Sequence, residues 1–98
     1  MKHTKEEWLV EDTTVYALEF DSFFRGKEQM RNRFWAHVYG YRSTPQEELE
    51  ANARLMAAAP ELLSALQAIA DLYDTDEGCR STPEYINARA AIKKATGE

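Results

Sequence analysis

Apolar and polar positions change period along this chain. From Val15 to Phe20 they alternate in twos, with Val15, Ala17 and Glu19 on one side and Tyr16, Leu18 and Phe20 on the other. β-branched and aromatic residues in strict alternation predict a strand, and the Tyr16 set is its expected core face. Arg33 to Tyr39 repeats the pattern, Phe34, Ala36 and Val38 alternating with Trp35, His37 and Tyr39. Trp8-Leu9-Val10 reads as a short strand, with Trp8 at the edge of the core. Asp12-Thr13-Thr14 follows as a turn, because these side chains bond their own backbone. Between Asp21 and Asn32, Asp21-Ser22 and Arg25-Gly26-Lys27 are turn signals flanking an apolar Phe23-Phe24 pair. Either the strand runs on through Phe24 into a hairpin at Gly26, which is the favoured reading, or the segment folds back on the sheet. The seven residues before Trp8 are polar and are expected to fray.

Beyond residue 44 the period lengthens to that of a helix. Leu49, Ala53 and Met56 form one apolar stripe. Thr44 is the expected N-cap, Pro45 the first helical residue, and Glu47 the reciprocal partner of a capping box. Pro60 cannot sit in a helix interior, since it lacks a donor and clashes one turn back. Ala59 before it is steered away from helical angles. The pattern therefore predicts two helices, 45–58 and 60–74, meeting at an alanine-rich corner. Leu62, Leu63, Leu66, Ile69, Ala70 and Tyr73 make a wide apolar face on the second. Ser81-Thr82-Pro83-Glu84 repeats the start signal. A last helix over 83–95 turns Tyr85, Ile86, Ala90 and Ile92 inward, places Lys93 and Lys94 at its negative end and stops at Gly97. Strands followed by helices make this an α+β chain: a small antiparallel sheet over 8–39, then three helices.

Composition narrows the class. The chain of 98 residues is expected to be a single domain, and 44% apolar against 30% charged residues is a globular composition. No apolar run reaches the ~20 residues of a membrane span. The single Cys79 forms no internal disulfide and fits a reducing compartment, hence an expected cytoplasmic location. The net charge of −5 is uneven. Residues 25–42 carry Arg25, Lys27, Arg31, Arg33 and Arg42 against Glu28 alone, while the flanking segments are acidic. An acidic chain repels a phosphate backbone at long range, so nucleic acid is not an expected partner.

No phosphate loop, paired cysteine ligands or nucleophile motif is present, and no cofactor, metal or reaction is expected. Asp74-Thr75-Asp76 lacks the spacing of a calcium loop. What remains is a surface. Trp, Tyr and Arg dominate binding energetics, and they concentrate in one stretch. Arg25, Lys27, Arg31, Arg33, Trp35, Tyr39 and Arg42 are the candidate partner-binding residues. The arginines are expected on the surface, while Trp35 falls either on an open sheet face or under the helices, with the balance toward core.

Asn32-Arg33-Phe34-Trp35-Ala36-His37-Val38, the stretch Glu50-Ala51-Asn52-Ala53-Arg54-Leu55-Met56-Ala57-Ala58-Ala59-Pro60-Glu61-Leu62-Leu63 and the terminal Arg89-Ala90-Ala91-Ile92-Lys93-Lys94-Ala95 together resemble a loose family of small phage- and prophage-encoded accessory proteins. The likeness spans most of the chain and is sharpest at residues 50–66. It implies a phage origin and carries no mechanism. Small acidic phage proteins often act by occupying host proteins. The resulting expectation is a non-enzymatic factor that binds and blocks a host protein, in takeover or anti-defence, within the cytoplasm of the bacterial host. A nucleic-acid-binding module using residues 25–42 is the alternative. A homodimer is expected if the small core leaves apolar helix surface uncovered.

Overall fold

The computed structural model describes residues 2–21 and 29–97. Its elements are β1 (Leu9–Glu11), β2 (Thr14–Asp21), β3 (Gln29–His37), α1 (Gln46–Ala57), α2 (Ala59–Tyr73), α3 (Glu77–Arg80) and α4 (Pro83–Thr96). The three strands form an antiparallel sheet in the order β1-β2-β3. This is the α+β arrangement that the change of period predicts. The expected hairpin at Gly26, with Phe23 and Phe24, lies outside the described residues. The chain divides into two compact units, His3–Ala58 and the helices from Ala59 onward.

In the first unit the register explains the core. Val15 pairs with Ala36 and Ala17 with Phe34, so these four side chains share one face. α1 packs on β1 and β2. Val15, Ala17 and Ala53 are fully buried. Val and Ala on the sheet and Ala on the helix allow a close approach of backbone to backbone. This reverses the expected orientation of β2. Tyr16 and Leu18 are only half-buried and Phe20 is exposed, because the covered face selects the small side chains and leaves the bulky ones on the other. Trp8 closes the edge of the covered face. Its ring meets Phe34 edge-on at 5.0 Å, and its indole Nε1 donates to the Thr4 carbonyl at 3.1 Å. That bond ties down part of the segment expected to fray. The β1–β2 turn depends on Asp12, which holds a left-handed φ of 53° that Asp tolerates better than most residues.

The two Thr-Pro signals have different outcomes. At α4, Thr82 is the N-cap, its hydroxyl accepting from Tyr85 N at 3.3 Å, with Pro83 at the first turn. At α1, the cap residue is Pro45, with ψ at 146°, and no side chain caps the helix. The expected capping box of Thr44 and Glu47 does not form. The Thr44 N–H closes a tight turn on Tyr41 O at 2.9 Å, as the Thr82 N–H does on Cys79 O at 3.1 Å. The helix break also falls earlier than expected. Ala58 interrupts, and Ala59 is already the first residue of α2. Pro60 then sits in the first turn, where its missing N–H has no partner to lose.

In the second unit α2 packs on α4, and α3 on α4. The acidic loop contains an unforeseen single-turn helix, α3. Asp76 caps it, its Oδ1 accepting from Gly78 N at 2.9 Å and Cys79 N at 3.3 Å. α2 and α4 are fastened by a polar cluster at the C-terminal end of α2. Arg89 donates to Asp71 at 3.0 Å and to the Tyr85 hydroxyl at 3.0 Å, and Tyr85 donates to Asp74. The Tyr85 hydrogen bond, then that of Asp71, raises the Arg89 pKa further above its ordinary value. Gly97 ends α4 at a φ of 77°, with its N–H on Lys93 O. The expected inward set is only partly covered. Ala70 is buried, but Leu62, Ile69, Tyr73, Ile86 and Ala90 are exposed.

Gly40 shows how tightly the first unit closes. A Cβ there would stand 2.9 Å from Leu49 Cδ2 and 3.0 Å from Thr44 Cβ. The leucine tip can swing aside, but the threonine Cβ is fixed to its backbone. Gly40→Ala is expected to destabilise the protein by about 1–3 kcal/mol, measured by urea denaturation; an unchanged midpoint would show that the Tyr41–Thr44 turn yields freely.

Candidate interaction surface

Because α1 covers one face of the sheet, the other carries the large side chains. Cross-strand pairing sets Tyr16 beside Trp35, Thr14 beside His37 and Phe20 beside Met30. Trp35 is 68% exposed, and Phe20 and Met30 are also exposed. The expectation that Trp35 leans toward the core is therefore corrected: it belongs to the uncovered face. The physical reason is the phase of β3, whose Phe34 and Ala36 take the covered side. His37 is held by two threonines, with Thr14 Oγ1 2.9 Å from Nδ1 and Thr13 Oγ1 3.4 Å from Nε2. Its ring packs against Tyr39 at 4.5 Å between centroids. Tyr16, Trp35 and His37, with Leu18 and Asn32, line a concavity of about 700 Å³ whose rim includes Glu11 and Asp12.

The candidate cations lie elsewhere. Between Ala17 and Leu18 the register shifts, so Arg33 is an extra residue on β3. A bulged residue shares the side of its neighbour, here Phe34, and so reaches the side of Glu19. Arg33 Nη1 donates to Glu19 Oε2 at 3.1 Å, and Arg31 Nε to Glu19 Oε1 at 2.7 Å. The Arg31 hydrogen bond is the main cause of a Glu19 pKa below its ordinary value, and Arg33 adds to it. Of the candidate residues, Trp35 and Tyr39 thus share an aromatic strip through His37, while Arg31 and Arg33 join a separate ion-pair cluster. Tyr39 and Arg42 are exposed beyond β3. Arg25 and Lys27 lie outside the described residues. Tyr16, Phe20 and Met30 were missed as surface residues because sequence alternation defines two faces without saying which one a helix will cover.

A family model for Salmonella phage P22 protein Y8K6 matches residues 1–98. The chain belongs to this phage protein family. No curated protein and no solved structure matches it. Membership agrees with the phage origin implied by residues 50–66, and it assigns no chemistry to the family member described here. Among the described residues no group of His, Cys, Asp and Glu is arranged to hold a metal ion. No single helix among them is long and apolar enough to cross a membrane. Cys79 is half-buried, and desolvation, then the Asp76 charge, raises its thiol pKa, so its environment disfavours the thiolate.

The Glu19 cluster predicts a pH dependence. Its depressed pKa contributes stability that is present above the ordinary glutamate value of about 4.5 and is lost as pH falls through the lowered value. Glu19→Gln is expected to lack this acid-side loss when unfolding midpoints are compared across that window. Parallel pH profiles for the two proteins would exclude the ion pairs as its source.

Proposed function

We propose that this family member is a non-enzymatic phage accessory protein that binds and blocks a host protein, in takeover or anti-defence, inside the bacterial cell. The observation carrying this reading is the uncovered sheet face around Trp35. A large exposed aromatic on a strand, beside Tyr16 and lining a concavity, has the composition of an interaction hot spot. Two features suggest the kind of target. The rim acids Glu11 and Asp12, within a chain of net charge −5, favour a basic partner. An arginine or lysine of such a partner can lie over the Trp35 ring while pairing with these carboxylates. A basic surface that the host uses for nucleic acid would be occluded by such an occupant.

The alternative, direct nucleic-acid binding through residues 25–42, draws less support from the geometry. Arg31 and Arg33 share the Glu19 carboxylate, which reduces the local positive charge. The aromatic face has acids at its rim, and these repel phosphates.

The test is affinity capture from host lysate with tagged wild type and Trp35→Ala. Trp35→Ala is expected to stay folded, with stability changed by less than about 1 kcal/mol, and to lose a basic host protein that the wild type retains. The captured protein is expected to lose its activity when wild type is added. Identical capture by both proteins would overturn the reading, as would salt-sensitive DNA or RNA binding by the purified chain with no protein captured.

A further inference from the structure

A second surface lies on the helical unit. Leu62, Leu66, Ile69 and Tyr73 follow one another on α2 at spacings of four, three and four residues. That is the spacing of a helix-pairing seam. Leu63 and Ala70 flank one side of this seam, and Ala70 is buried. Ala65 and Leu72 flank the other side, and both are exposed, Leu72 at 72%. The seam residues Leu62, Ile69 and Tyr73 are themselves about half exposed. α4 thus covers one flank of the seam, and the other flank is open.

We propose that this open flank of α2 pairs with α2 of a second copy, making the protein a homodimer. Three observations select a second copy as the occupant. First, the seam and both flanking positions carry no charge; Glu61 and Asp71 fall on the remaining positions of the helix, and Asp74 follows its end. Two copies of an acidic chain repel wherever their acids meet, and this face lets them approach without opposing carboxylates. Second, the small Ala65 sits between the larger Leu62 and Leu72 along the open flank, a relief that a copy related by a two-fold axis can interdigitate with. Third, the helical unit is about 40 residues long, and Ala70 is its one buried apolar residue among those described. A core that small leaves the apolar side chains of α2 about half in solvent, and burying them against a second copy removes that apolar area from water. The unit's single cysteine forms no internal disulfide, and no metal-binding group is found among the described residues. The proposal is independent of the Trp35 surface, which lies in the other unit.

The experiment is sedimentation equilibrium of the full chain, wild type and Leu72→Glu. Leu72 is largely exposed, so a charge there does not disturb the packing of one copy. Wild type is expected at twice the 11.3 kDa chain mass at micromolar concentration. Leu72→Glu is expected to associate at least tenfold more weakly at unchanged helical circular dichroism, and Ala65→Glu, at the other exposed position of the open flank, to do the same. Trp35→Ala is expected to keep the wild-type mass. A wild-type mass of one chain at all concentrations overturns the proposal. So does a dimer that tolerates both charged variants, since it would use another face.

Discussion

The packing of α1 on β2 around the small side chains of Val15, Ala17 and Ala53 sets the organisation of the first unit. Val15, Ala17 and Ala53 are its fully buried apolar residues. Small residues on both sides bring helix and sheet close, where dispersion contacts are most numerous per atom. The cost is that little apolar area is hidden by each of them. Trp8 and Phe34 compensate at the edge with an aromatic contact. Gly40 and the Tyr41–Thr44 turn then deliver the chain to α1, where an added methyl would crowd Thr44 and Leu49. Once that face is covered, the phase of β2 and β3 has only one outcome for Tyr16 and Trp35.

The same constraint separates charge from aromaticity. Glu19 continues the covered side of β2, and the bulge at Arg33 turns a second arginine toward it. Without the bulge, strict alternation would put Arg31 and Arg33 on the side of Trp35. The bulge therefore keeps Asn32 and Met30 in line with Trp35 while gathering the cations on the other side. The result is an aromatic face whose rim is acidic, although one of its two strands, β3, belongs to the most basic segment of the chain.

Strand and helix periods were legible in the residues, as were the position of Trp8, the α4 cap at Thr82 and the stop at Gly97. The phage origin was legible at residues 50–66. The orientation of β2 was not. Alternation places Val15 and Ala17 opposite Tyr16 and Leu18, and hydrophobic size favours the larger pair as core, whereas the approach distance of a helix favours the smaller. The α1 cap was also illegible, because Thr44-Pro45 and Thr82-Pro83 are the same dipeptide. Both threonines close a tight turn, Thr44 N–H on Tyr41 O and Thr82 N–H on Cys79 O; what differs is that the Thr82 hydroxyl also donates to Cys79 O at 2.6 Å. α3 escaped notice because its four residues are held by one aspartate cap and show no apolar period.

The function proposed for this phage family member depends on Trp35 standing in solvent before any partner arrives. Acrylamide quenching of Trp fluorescence in a Trp8→Phe variant, where Trp35 is the sole indole, tests this directly. The account predicts red-shifted emission and quenching close to that of a free indole. Blue-shifted emission with weak quenching in the isolated protein would contradict it, because Trp35 would then already be covered.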